Sequence, residues 1–116
     1  MSGRFVAVVG PSGVGKDSLI SFARQMLADD PGFAFPSRVI TRPPDASEPY
    51  DSVDELTFMR LAAAGGFALQ WQAHGLSYGI PAAAAAEIAR GRTIVVNCSR
   101  SVIPTLRQRF RGSLVI

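Results

Sequence analysis

The sequence predicts an α/β fold with a mainly parallel sheet, and three observations carry that prediction. Short apolar runs suited to buried strands recur at residues 4–9 and 93–98, and again from 113. Stretches with helical spacing lie between them, at 17–27, 53–64 and 81–90. A glycine-rich turn joins the first apolar run to the first helical stretch. Strands alternating with helices need crossover connections, which leave the strands parallel.

The first strand, Arg-Phe-Val-Ala-Val-Val over 4–9, runs into Gly10, Pro11, Ser12, Gly13, Val14, Gly15, Lys16 and Asp17. This is the G-x-x-x-x-G-K spacing of a phosphate-binding loop, set between a strand and a helix start as that chemistry requires. Glycines let successive backbone N–H groups turn inward around a phosphate, and the helix N-terminus adds its positive dipole end. Lys16 is the only lysine; the other eleven basic residues are arginine. A chain that otherwise avoids lysine keeps one where a compact ammonium would meet terminal phosphates. The run from Gly10 to Ser18 is therefore the candidate nucleotide site, with a nucleoside triphosphate its expected ligand and Lys16 at the terminal phosphates.

Position 17 departs from the usual pattern, in which Ser or Thr offers a hydroxyl to Mg²⁺. Asp17, followed by Ser18, could hold Mg²⁺ through a carboxylate instead. It could equally do no more than favour the first helical turn electrostatically.

The helix over 17–27 is expected to turn Leu19, Ile20, Ala23, Met26 and Leu27 to one face and to stop at Asp29-Asp30-Pro31-Gly32. Residues 33–40 read as a second strand, short or at an edge because Pro36 interrupts it. Residues 41–50 form a polar loop with three prolines. Ser52-Val53-Asp54-Glu55 reads as a capping box, opening a helix over 53–64 that ends at Gly65-Gly66. A hairpin follows: strand 67–73, turn His74-Gly75, return strand 76–80. Pro81, at a first helical position, opens an alanine-rich helix to Arg90, closed by Gly91. The strand Thr-Ile-Val-Val-Asn-Cys over 93–98, a helix over 101–111 and a strand from 113 complete the order.

A length of 116 residues with 47% hydrophobic content indicates one small domain. The apolar run 5–9 is too short for a signal-peptide core, and no stretch reaches the ~18 residues of a membrane span. The single Cys98 forms no internal disulfide and suits a reducing cytoplasm; its place at the end of an apolar strand reads as a small buried thiol. The net charge of +3 comes from dispersed arginines without a basic, aromatic-lined stripe, so small anionic substrates explain it as well as nucleic acid would, and no nucleic-acid partner is expected. The strand order leaves an apolar face near residue 116, as expected of a piece of a longer chain or of one covered by a partner such as a second copy.

Arg38 and Arg42 lie four apart in an irregular segment beside the prolines. Two guanidinium forks there can hold a doubly charged phosphate, and Tyr78, between Gly75 and Gly79, can add a hydroxyl. The alternatives are solvated arginines and ordinary hairpin packing. His74, the only histidine, reads as a turn residue.

From the phosphate loop onward the chain resembles the guanylate-kinase-like branch of the P-loop nucleoside monophosphate kinases, and within it the ribose 1,5-bisphosphate phosphokinases of phosphonate catabolism. The resemblance rests on Gly-Pro-Ser-Gly-Val-Gly-Lys-Asp-Ser-Leu (10–19), with Asp after the lysine. It extends through Arg-Val-Ile-Thr-Arg (38–42), Trp-Gln-Ala-His-Gly-Leu-Ser-Tyr-Gly (71–79) and Val-Val-Asn-Cys-Ser-Arg (95–100). It implies a parallel sheet flanked by helices, with a small substrate-binding subregion over 41–80. It also implies that Arg38, Arg42, Gln72 and Tyr78 bind the substrate and that Lys16 and Asp17 act on ATP and Mg²⁺. Gln72 stands where guanylate kinases carry a guanine-reading glutamate, which favours a sugar phosphate as acceptor. Asn97 stands where the branch carries an acid, which raises the weight on Asp17 as metal ligand. Members of the branch continue past the position of Ile116 with a basic lid. The reaction implied is ATP-dependent conversion of ribose 1,5-bisphosphate to 5-phosphoribosyl 1-diphosphate. Rival readings are a guanylate or other nucleoside monophosphate kinase, and a non-catalytic binding domain that kept the fold.

Overall fold

The computed structural model describes residues 3–10, 16–43 and 50–116, with Lys16 and Asp17 described by backbone alone. The main sheet is built from β1 (Phe5–Val8), β2 (Phe33–Ala34), β7 (Thr93–Asn97) and β8 (Leu114–Val115) in the order β2-β7-β1-β8, all parallel. Alternation along β1 and β7 buries Phe5 and Ala7 beside Ile94 and Val96. These four join Ala84, Val102 and Leu106 in one core. Ala84 belongs to α3 (Ala82–Ala89); Val102 and Leu106 come from a 3₁₀ turn (Arg100–Val102) and α4 (Ile103–Arg109).

A second sheet stands beside the first, in the order β4-β3-β6-β5. Its strands are β3 (Arg38–Ile40), β4 (Tyr50–Ser52), β5 (Phe67–Ala73) and β6 (Leu76–Pro81). β3 and β4 are parallel, whereas β6 is antiparallel to both β3 and β5. Leu69 and Ile80 carry its inner face into the main core, so the two sheets share their apolar interior. Helix α2 (Glu55–Ala63) packs on the outer face, where Phe58 stacks on Phe67 at 4.6 Å.

Several expected elements are corrected. The single strand over 33–40 is two strands in different sheets, because Pro36 has no N–H for a ladder and the chain crosses between sheets at 35–37. The capping box gives way to Asp54, which caps α2 by accepting from the Thr57 N–H at 2.8 Å. Ser52 lies in β4, its hydroxyl donating to the Arg42 carbonyl at 2.6 Å. Pro81 is the N-cap of α3, not its first helical residue. The last helix opens as a 3₁₀ turn, and α4 starts at Ile103. On α1 (Lys16–Met26), Ile20 is buried, but Leu19 and Met26 are exposed beside Phe22. No helix among the described residues is long and apolar enough to cross a membrane.

Candidate functional site

Parallel strands bring their carboxyl ends together, and ligands of α/β sheets gather there. β1 ends at Val8, directly beside Asn97 at the end of β7. Gly10 follows with φ +139°, a conformation that L side chains rarely adopt, so glycine is needed where the loop leaves the sheet. Helix α1 starts at Lys16, so strand and helix flank the loop as its motif requires. Pro11, Ser12, Gly13, Val14 and Gly15 lie outside the described residues. Ser18 is exposed in the first turn of α1.

The second sheet sends one arginine to this same end. Arg38 is 8% exposed, and its Nη1 donates to the Asn97 carbonyl at 3.4 Å. Its guanidinium lies over the Tyr78 ring, 5.4 Å from the centroid. Tyr78 in turn stacks on Trp71 at 5.5 Å with an interplanar angle of 2°. The register explains the grouping. Tyr78 faces Trp71 across the hairpin and Ile40 across β3, and side chains directly opposite share a face. The turn that sets this register has φ 54° at His74 and 72° at Gly75.

Arg42, just past β3, places its guanidinium over the Tyr50 ring at 4.6 Å and donates from Nε to the Tyr50 hydroxyl at 3.1 Å. That hydroxyl donates to the Pro43 carbonyl. Tyr50 is also the register partner of Arg38, so β4 runs alongside the one segment, β3 and its exit, that carries both arginines. Arg38 thus lies against Tyr78 next to the strand end that enters the glycine loop, and Arg42, four residues on, lies against Tyr50. Guanidinium forks such as these can cradle a phosphomonoester.

Gln72 is not brought to Arg38 and Tyr78. Gln72 pairs with Ser77, neighbours Trp71 along β5, and therefore projects from the opposite face, exposed. Tyr50, Trp71 and the Asn97 carbonyl were not anticipated as site groups. A signal for Trp71 did exist, since a two-residue turn at His74-Gly75 pairs position 71 with 78. Cys98 is buried beyond β7, its N–H donating to the Val8 carbonyl at 2.9 Å. Among the described residues no three His, Cys, Asp or Glu side chains form a metal cage. Mg²⁺ bound chiefly by phosphate oxygens and one carboxylate needs none, so an acidic residue at position 17 suits it.

No protein-family model matches the chain. Curated relatives do. A ribose 1,5-bisphosphate phosphokinase PhnN of Methylobacterium radiotolerans is 47% identical over all 116 residues, which span 66% of that protein. PhnN of Acidiphilium cryptum is 51% identical over 94% of this chain and 58% of its own length. PhnN of Rhodopseudomonas palustris is 49% identical over 98% of this chain and 59% of its own. The chain thus spans about three fifths to two thirds of the length of these three relatives. Among solved structures, guanylate kinase from Anaplasma phagocytophilum superposes with a TM-score of 0.79 at 19% identity, over 98% of this chain and 58% of that one. That likeness is one of fold, and it agrees with a guanylate-kinase-like α/β architecture. With identities near one half along its whole length, the chain belongs to the ribose 1,5-bisphosphate phosphokinase family.

Proposed function

We propose that this chain supplies the phosphate loop and acceptor cradle of an ATP-dependent phosphotransferase that converts ribose 1,5-bisphosphate to 5-phosphoribosyl 1-diphosphate. The observation that carries the reading is Arg38. A buried guanidinium from the second sheet reaches the end of β7, beside the strand that feeds the glycine loop. Donor and acceptor phosphates would then meet at one place. The relatives' names supply the substrate.

In this mechanism an oxygen of the sugar 1-phosphate attacks the γ-phosphorus of ATP. The new O–P bond forms as the bond to the β–γ bridging oxygen breaks, and ADP leaves with the electron pair. Lys16 and the loop N–H groups would balance charge on the transferring group, while Arg38, Arg42 and Tyr78 hold a phosphate of the sugar. Mg²⁺, which Asp17 would hold, supplies further neutralisation of phosphate charge. Gln72 faces away from the cradle, so no base-reading group is assigned to it. The second sheet, centred on 41–80 and beginning at Arg38, would be the substrate-binding subregion.

The test is a ³¹P NMR assay with ATP, Mg²⁺ and either ribose 1,5-bisphosphate or GMP, paired with calorimetric titration of each acceptor. Formation of the diphosphate, and tighter binding of the bisphosphate than of GMP, is expected. GDP formation with no diphosphate from the ribose substrate would make the chain a guanylate kinase instead. Binding of neither acceptor would favour a non-catalytic domain.

A further inference from the structure

We infer that Trp71 is a positioning residue for the acceptor cradle: its indole fixes the Tyr78 ring on which the Arg38 guanidinium lies. The inference rests on the reading of Arg38 as a phosphate-binding group, though not on the identity of the sugar. Tyr78 stands on β6 between β3, which carries Arg38, and β5, which carries Trp71. Its ring is covered by the guanidinium at 5.4 Å and by the indole at 5.5 Å, the two rings within 2° of parallel. Neighbours on opposite flanking strands make this a three-layer stack of cation, phenol and indole.

Two features give the stack more than a packing role. First, Arg38 is almost fully buried, with its guanidinium over the Tyr78 ring. A ring face under a desolvated guanidinium restrains its orientation well. Second, Tyr78 has little freedom of its own once the indole is parallel to it, so Trp71 sets where the guanidinium plane can lie. Trp71 also touches the main core, which makes simple packing the rival explanation.

Trp71 is the only tryptophan, so its emission reports on the stack without labelling. Ribose 5-phosphate is the probe. Titrated into the wild-type chain, it should change Trp71 fluorescence, with the same dissociation constant as calorimetry gives. Trp71→Leu, which stays apolar but has no ring face, should weaken calorimetric binding about three- to tenfold, the range of an aromatic pair. Trp71→Phe, which keeps the face, should stay within about twofold of wild type. Circular dichroism melts show that each variant is folded at the assay temperature. Wild-type affinity in folded Trp71→Leu, while Arg38→Ala binds weakly, overturns the positioning role alone. Equal weakening in Leu and Phe variants does the same, because it traces to bulk. If Arg38→Ala binds as well as wild type, or wild type binds no ribose 5-phosphate, the cradle reading falls and this inference falls with it.

Discussion

Replacing Gly79 by alanine adds one methyl to the middle of the second sheet, and the surroundings give the cost. An added Cβ would stand 2.5 Å from Phe67 Cε1, 2.6 Å from Cδ1 and 2.8 Å from Cζ, where ordinary contact begins at 3.4 Å. The ring must retreat by most of an ångström. It cannot do so freely, because it is also stacked on Phe58, the buried residue of α2. Overpacking of this kind costs about 1–3 kcal/mol, and disturbing the stack puts about 0.5–1.5 kcal/mol more at risk. We expect Gly79→Ala to destabilise by about 2–3 kcal/mol, lowering the Tm of a domain this size by about 8–12 °C. The assay is a thermal melt of four proteins: wild type, Gly79→Ala, Phe67→Leu and the double variant. With the ring gone, the alanine should cost about 1–2 kcal/mol less than it does in wild type. A Tm loss below about 3 °C, which is less than about 1 kcal/mol, would refute the reasoning. So would an equal penalty with and without Phe67.

Three further outcomes are expected. Lys16→Met should lower phosphoryl transfer about 10²- to 10³-fold, as loss of a transition-state charge partner does, with the circular dichroism melt unmoved; comparable kcat in both proteins excludes the role. Asp17→Asn should raise the Mg²⁺ concentration for half-maximal activity, and an unmoved titration would leave Asp17 as a helix-start residue. Hydrogen bonds from the Thr57 side chain and then its backbone N–H hold the Asp54 carboxyl below its ordinary value. A depressed carboxylate stabilises the fold above its unfolded pKa, and that contribution is lost as pH falls through the lower, folded value. Asp54→Ala should therefore reduce Tm at neutral pH and flatten its decline in acid below about pH 4, with Asp54→Asn flattening the decline but keeping most of the cap.

Local chemistry was legible in the sequence wherever neighbours in the chain are neighbours in space. The hairpin around His74-Gly75, the stop at Gly65-Gly66 and the strand–loop–helix order at Gly10 to Lys16 all depend on adjacent residues. Arg38 and Tyr78 stand out by residue type as candidate phosphate binders, and the structure sets the guanidinium over the ring. The contact of Arg38 with Asn97 was not legible, because a backbone carbonyl, which any residue has, is what meets it. Tyr50 was hidden because β4 forms only by pairing with β3, and a three-residue strand has no periodicity to find. Ser52 misled for a related reason: it offers a capping hydroxyl, but pairing of β4 with β3 takes it, and Asp54, two residues on, caps the helix. Over 17–27 the helical spacing of Leu19, Ile20, Ala23, Met26 and Leu27 was visible, but burial is decided by what lies opposite, and Leu19 and Met26 are exposed. The placement of Gln72 could have been read from the two-residue turn, which puts positions 71 and 72 on opposite faces.

The order β2-β7-β1-β8 has a consequence for the history of each molecule as it is made. Of these four strands β1 is made first, yet both of its partners come much later in the chain: Phe5 pairs with Ile94, and Val6 with Leu114. During synthesis the emerging apolar strand and the glycine loop behind it have no sheet to join. The second sheet, whose strands lie between residues 38 and 81, can close earlier. Such distant pairing makes folding slow and leaves the early strand exposed to other chains. The strand that feeds the phosphate loop therefore waits for β7 and β8 before its place in the sheet is set.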